Sequence, residues 1–292
     1  MLQNIKTYLV SFRLYQWIKN CFIFIPIIFS NSLFTSHIII NAIIAFLSFS
    51  LAASAVYLFN DVMDIEYDKK HPLKNNRPIA SGKMKVKEAI ISAVILLIVS
   101  LMISIIKLNQ EITLIIIIYI AINILYSTIL KNIPIIDVFT VALGFMLRMF
   151  VGATLTVEEP SYWIILMTFF LALFISFGKQ RAESIIINSQ IDPTKQIALK
   201  SYTPNLIDQI NASLVSIIIL YYTFYTFNYT DERLGIFIPY TVPIVTYGCL
   251  RYLYLIQIKN YGGNPVKLLF KDLGILLSVI IWFVVIIIIL YY

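Results

Sequence analysis

Charge is scarce in this chain. Only 13% of its 292 residues are Asp, Glu, Lys or Arg, and histidine and cysteine occur twice each. His37 and His71 are isolated, which argues against a histidine-based zinc site. Cys21 and Cys249 form no CxxC pair and are too few for a disulfide framework. Both fall in apolar stretches, so both are expected as buried apolar side chains. No soluble domain or low-complexity linker is visible. The formal charge of +7 therefore has no soluble basic face to sit on, and nucleic acid is excluded as a partner. No cleavable signal peptide is expected either. Lys6, Arg13 and Lys19 precede the first apolar stretch, but no small-residue cleavage site follows it.

What the chain has instead is hydrophobic length. Apolar residues make up 60% of it and its mean hydropathy is +0.88, well above a soluble domain. Runs of about 20 apolar residues, enough to cross a bilayer, recur from end to end. Nine are expected: 20–36, 38–59, 88–107, 112–130, 134–154, 161–178, 207–228, 235–257 and 267–291. Pro26 and Arg148 interrupt the first and the fifth. The fold class is all-α: a polytopic bundle of nine transmembrane helices forming one domain over 1–292. Lys and Arg set the orientation. With nine spans, 19 of the 22 lie on the side that holds the N-terminus, including Lys195 and Lys200. Lys107 and Arg233 fall on the other side, and Arg148 lies within a span. The N-terminus is expected in the cytoplasm and the C-terminus outside.

Against this apolar background the stretch from Asn60 to Asp68, NDVMDIEYD, concentrates four acids. Asn60, Asp64 and Asp68 are spaced i, i+4, i+8, and Asp61 lies three before Asp64. On a helix the four point roughly one way. Like charges so placed repel and need compensation. Mg²⁺ suits them, because it takes oxygen ligands from a few carboxylates and completes its shell with phosphate oxygens and water. Lys69, Lys70, Lys74 and Arg77 follow, and Arg77 is suited to bidentate phosphate contact. The sequence from Arg77 to Gly82, RPIASG, reads as a turn between helices. Acids at a membrane surface, followed by bases, predict a site for a magnesium-bound diphosphate. His71 is expected as a solvated loop residue or a substrate contact.

The pattern NDxxDxxxD at Asn60, Asp61, Asp64 and Asp68, after the second apolar span and ahead of RPIASG, resembles the first aspartate-rich motif of the UbiA superfamily of intramembrane prenyltransferases. The resemblance covers nearly the whole chain. It implies an all-helical bundle whose cavity opens to the cytoplasm and to lipid, and a Mg²⁺–diphosphate site on those four residues. Members of the quinone and haem pathways carry a second aspartate-rich motif after helix 6. Here the corresponding stretch, expected as a loop, is FGKQRAES from Phe177 to Ser184, with Lys179, Arg181 and a single acid, Glu183. That mixture resembles the decaprenyl-phosphate phosphoribosyltransferase branch. QWIKN at Gln16–Asn20, YSTILKN at Tyr126–Asn132, IDVFTVALGFMLR at Ile136–Arg148 and KSYT at Lys200–Thr203 agree with it.

That branch implies transfer of the phosphoribosyl group from phosphoribosyl pyrophosphate to a polyprenyl phosphate, with Mg²⁺ as cofactor. Asn60, Asp61, Asp64 and Asp68 would hold the metal, with the three aspartates and Glu183 serving catalysis. Arg77, Lys179 and Arg181 would face the donor's phosphates, and Lys19 and Lys131 the lipid phosphate. Membrane lipids surround the protein, and an oligomer is compatible with the sequence. The alternative reading is prenyl transfer from a prenyl diphosphate to an aromatic or lipid acceptor. Asp137 and Arg148, eleven residues apart, share a helix face, each either serving substrate or paired with another helix. Tyr221, Tyr222, Tyr225, Tyr291 and Tyr292 are expected in the interfacial aromatic belt.

Overall fold

The computed structural model describes residues 2–30, 32–156, 162–188, 202–228 and 235–291; Lys195, Lys200 and Arg233 lie outside them. Helix follows helix, and no strand occurs among the described residues. In a bilayer, backbone groups have no water to bond, so a helix, which satisfies them internally, is the favoured spanning element. The chain opens with α1, Leu2–Ser11, then a 3₁₀ helix, Leu14–Ile23, running into α2, Phe24–Phe29. Next come α3, Ser36–Met63, α4, Ile65–Lys70, α5, Val86–Lys107, and α6, Gln110–Thr128. A 3₁₀ turn, Leu130–Asn132, precedes α7, Ile136–Ala153, and α8, Tyr162–Asn188. The last part holds α9, Pro204–Asn228, a 3₁₀ helix, Gly235–Thr241, then α10, Val242–Gln257, α11, Pro265–Lys271, and α12, Leu273–Tyr291.

Among the described residues seven helices, α3, α5 to α9 and α12, are long and apolar enough to cross a membrane. The protein is an integral membrane protein. Two of the nine expected stretches are helical but fall short as single α-helices. The first begins in the 3₁₀ segment and carries Pro26 within α2. The eighth divides into a 3₁₀ helix containing Pro239 and the 16-residue α10. Proline lacks the N–H that would continue the ladder.

The contacts divide the chain into two compact units. The first holds Met1–Ile27, Ser32–Ile133 and Leu147–Val157; the second holds Ile28–Asn31, Pro134–Met146 and Glu158–Tyr292. In the first unit α3 is the central element, and its inward face is small. Ala42, Ala45, Ser48, Ala52 and Ala55 are buried, and α5 answers with Ala89, Ala93, Ser100 and Ser104. The Ser48 hydroxyl donates to the Ser100 carbonyl at 2.8 Å, and the Ser100 hydroxyl donates back to the Ser48 carbonyl at 2.7 Å. Small residues allow this approach, which is how helices associate when their surroundings are as apolar as leucine. The large side chains of α5 point the other way: Ile90, Ile91, Ile95, Ile98, Ile105 and Ile106 are exposed. In water that arrangement would be inside out; in lipid it has no cost to offset.

In the second unit aromatic side chains carry more of the packing. Trp282 Nε1 donates to the Tyr222 hydroxyl at 2.7 Å, and that hydroxyl also shares a 2.6 Å bond with Thr241. Tyr222 and Tyr225 are therefore interior and not in the expected belt; both are buried. Tyr291 donates its hydroxyl to the Ile28 carbonyl at 2.9 Å. Asp272 marks the break between α11 and α12. It takes Arg251 at 2.8 and 3.2 Å and accepts the Ile275 N–H at 3.0 Å, capping α12. The Arg251 hydrogen bond holds the Asp272 carboxyl below the usual carboxylate range.

Candidate functional site

The acid cluster begins at the C-terminal end of α3. Helix α3 stops at Met63, Asp64 takes φ −96° and ψ 9°, and α4 starts at Ile65. The i to i−4 ladder nonetheless runs on: Asp64 N–H bonds Asn60 O at 2.9 Å and Asp68 N–H bonds Asp64 O at 2.8 Å. Helical spacing thus survives the break. Asp61 and Asp68 converge on one nitrogen, Arg77 Nη1, at 3.0 and 2.6 Å. Arg13 also pairs with Asp61, and Lys131 pairs with Asp64. Asn60 is held from both sides. Its amide donates to Asp64 Oδ2 at 2.9 Å, and its carbonyl oxygen accepts from the Ser127 hydroxyl at 3.0 Å. The fourth acid, Glu66, points away and pairs with Lys69 on the exposed side.

Asp61 and Asp68 are buried. Burial pushes the Asp68 carboxyl above the usual range, and Arg77 works against that shift. Asp68 Oδ1 is buried and has no hydrogen-bond partner. A buried carboxylate oxygen left unsatisfied is costly, so this atom points to a ligand. The donor set of carboxylate and amide oxygens suits a hard divalent cation. As they stand, the acids are drawn onto cations, and among the described residues no three acidic, histidine or cysteine groups converge to close on an ion. His71 is neither solvated nor open: it is buried, and its Nδ1 accepts the Leu73 N–H at 3.1 Å.

A second polar group lies deeper in the first unit. Arg148 is buried, with Nε on Asn20 Oδ1 at 2.6 Å and Nη2 on the Tyr119 hydroxyl at 3.2 Å. Its guanidinium carbon stands 4.8 Å from the Phe49 ring centre and 4.9 Å from that of Tyr119. Asn20 in turn donates to Ser50 at 2.7 Å. Lys19 lies in the electrostatic reach of Arg148 and Arg13. Arg148 is thus partnered by other helices. One residue along from Asn20, Cys21 is exposed, contrary to expectation, while Cys249 is buried. The tighter 3₁₀ winding of Leu14–Ile23 turns Asn20 and Ile23 inward and leaves Cys21 outside.

In the second unit the stretch 177–184 is not a loop; it forms the last turns of α8. Lys179 is exposed and Glu183 is buried. Arg181 is buried, and all five of its N–H groups are used internally. Nε and Nη2 take Asp208 of α9 at 2.6 and 3.2 Å. Nη1 and Nη2 also take Ile256 O at 2.7 Å, Asn260 Oδ1 at 2.6 Å and Gln257 O at 3.2 Å. Arg181 therefore caps the C-terminus of α10 and ties three helices together, where the sequence suggested a phosphate contact. Gly262 seats the same corner. A Cβ there would stand 2.3 Å from the Gly178 carbonyl oxygen. Asp137 is buried and accepts from Gln180 and, at 2.7 Å, from the Tyr202 hydroxyl. Arg13, Ser127, Asp208 and Asn260 are the residues sequence reasoning passed over. In the sequence Arg13 bears on topology alone, and no spacing singles out Asp208.

The chain's residues 23–274 match the model of the UbiA prenyltransferase family, and the chain belongs to that family. Solved structures with the same fold include a UbiA homologue from Archaeoglobus fulgidus bound to dimethylallyl diphosphate and Mg²⁺. Its TM-score is 0.69, with 18% identity, covering 96% of this chain and 99% of that one. Among curated relatives the chain is 30% identical over 272 residues to the decaprenyl-phosphate phosphoribosyltransferase of Corynebacterium glutamicum, covering 91% of this chain and 81% of that protein. The enzyme of the same name from Mycobacterium tuberculosis is 29% identical over 243 residues, covering 82% and 78%.

Proposed function

We propose that this protein transfers the 5-phosphoribosyl group from phosphoribosyl pyrophosphate to a polyprenyl phosphate, with release of pyrophosphate, at the cytoplasmic face of the membrane. The observation that carries this reading is the 30% identity, across 91% of the chain, to a decaprenyl-phosphate phosphoribosyltransferase. The stretch 177–184 supports it, since a single acid, Glu183, stands there in place of a second aspartate-rich motif. Residues 1–292 are taken as a single catalytic transmembrane domain.

Asn60, Asp61, Asp64 and Asp68 are the residues that would hold Mg²⁺, with the Asp68 Oδ1 atom already lacking a partner. A bound divalent ion there supplies charge neutralisation for the departing pyrophosphate. Arg77 and Lys179 are assigned to donor phosphates, where a fixed cation stabilises charge that builds as the bond to C1 breaks. Glu183 is assigned to a ribose hydroxyl. Lys19 and Lys131 are assigned to the phosphate of the lipid, which is already an anion at neutral pH and needs no strong base. Its oxygen forms the new bond to C1 of the ribose. The bond from C1 to the pyrophosphate oxygen breaks, and the electron pair leaves with pyrophosphate. The excess of Lys and Arg on one side supports assigning this chemistry and the N-terminus to the cytoplasm.

The test is incubation of the purified protein with radiolabelled phosphoribosyl pyrophosphate, polyprenyl phosphate and Mg²⁺. Label is expected in the organic phase. Product from a prenyl diphosphate and an aromatic acceptor, with none from phosphoribosyl pyrophosphate, would replace this reading with prenyl transfer.

A further inference from the structure

Arg13 has no part in the motif or in the chemistry above, yet its geometry is unusual. It takes φ 52° and ψ 47° at the start of the 3₁₀ helix. This left-handed region is uncommon for a long side chain. From there the guanidinium pairs with Asp61 and lies 5.1 Å from the centre of the Tyr57 ring. Arg77 takes Asp61 and Asp68, and Lys131 takes Asp64. Each of the three acids is therefore held by a cation, and the three cations balance the three carboxylates. These bonds occupy Asp61 Oδ1, Asp64 Oδ1 and Asp68 Oδ2, oxygens that a divalent ion would need, while Asp68 Oδ1 is buried with no partner.

We propose that Arg13, Arg77 and Lys131 are internal counter-ions that compete with the metal for the acid cluster, and that Arg13 becomes a ligand of the donor's diphosphate once the metal is in place. This rests on the reading of the cluster as a metal–diphosphate site. A bare divalent cation must displace cations from a locally neutral group, so alone it binds weakly. A metal accompanied by a diphosphate brings anionic oxygens for the released side chains to hold. Metal and diphosphate binding are then coupled, and by linkage each strengthens the other equally. Metal loading is confined to the moment the donor arrives.

The experiment measures Mn²⁺ affinity of the detergent-purified full-length protein by calorimetry, alone and with inorganic pyrophosphate. For the wild type, pyrophosphate is expected to tighten Mn²⁺ binding strongly. Arg13→Gln is expected to bind Mn²⁺ alone about tenfold more tightly, the scale of one charge-assisted hydrogen bond removed from the competition. Its gain from pyrophosphate should shrink, and Arg13→Lys should restore wild-type behaviour on both counts. Lys131→Gln is the second variant, because its partner is Asp64 and its backbone is not left-handed; it must move Mn²⁺ affinity the same way. Wild-type Mn²⁺ binding with either glutamine variant unchanged or weakened for the metal alone overturns the competition and leaves the metal site standing. No Mn²⁺ binding by the wild type, even with pyrophosphate, overturns both.

Discussion

The two oxygens of Asp68 have different fates. Oδ2 lies 2.6 Å from Arg77, while Oδ1 is buried with no partner. An alanine at 68 removes both and leaves Arg77 with Asp61 alone. Asp68→Ala is expected to abolish transfer while the protein stays in the membrane, and Asp64→Ala the same, as measured by label reaching lipid. Full turnover of the wild type in excess EDTA would contradict the metal role of both residues. Arg181 leads to a different expectation. Its removal strands Asp208 and the last carbonyls of α10, and breaking a buried pair costs about 3–5 kcal/mol. Arg181→Ala is thus expected to lower thermal stability in detergent sharply, and Arg181→Lys to recover little of it, since an ammonium cannot reach five acceptors. Unchanged stability with a raised donor KM would return Arg181 to the phosphates. Lys179→Ala is its counterpart. Removing this exposed side chain of α8 is expected to lower kcat/KM for the donor about tenfold or more, the size of a lost charge-assisted contact. Donor kinetics within about twofold of wild type would show Lys179 serving topology only.

At the scale of elements, the acid cluster was legible because its spacing is local. The i, i+4, i+8 register of Asn60, Asp64 and Asp68 persists through the break at Asp64, carried by two consecutive i to i−4 bonds. Arg181 was not legible because its partners stand far off in sequence: Asp208 is 27 residues away and Asn260 is 79. Nothing in FGKQRAES tells a buried guanidinium from a presented one. The exposed position of Cys21 escaped for a related reason, since an apolar run does not announce 3₁₀ winding. The interior tyrosines of α9 escaped because a belt and a core draw on the same residue type. The corner between α8 and the segment after α10 offers a direct check. Gly262→Ala places a methyl 2.3 Å from a backbone carbonyl oxygen that cannot swing aside. It is expected to destabilise the protein by about 1–3 kcal/mol, read as a lower midpoint of thermal inactivation. Gly82→Ala meets no neighbour within 4 Å and suffers only from its φ of 75°. Its cost should be about 1–2 kcal/mol.

At the scale of the whole molecule, the fold follows from composition, because a chain this apolar has few ways to satisfy its backbone in lipid. The count of spans did not follow so directly, since prolines divide two of the stretches that hydropathy alone joins. Sidedness is open to direct measurement. Single cysteines introduced at Lys83 and at Lys107, in a variant lacking Cys21 and Cys249, should label from opposite faces of intact cells, with position 83 inside. Labelling of both from outside would refute the assigned orientation. The ion pairs of the acid cluster have one more consequence, which concerns the order of synthesis. Every side chain in them lies between Arg13 and Lys131. All of those partners have therefore been synthesised before α8 is translated. The acids have their counter-ions within reach while the second half of the protein is still being made, so the membrane need not host bare carboxylates during biogenesis.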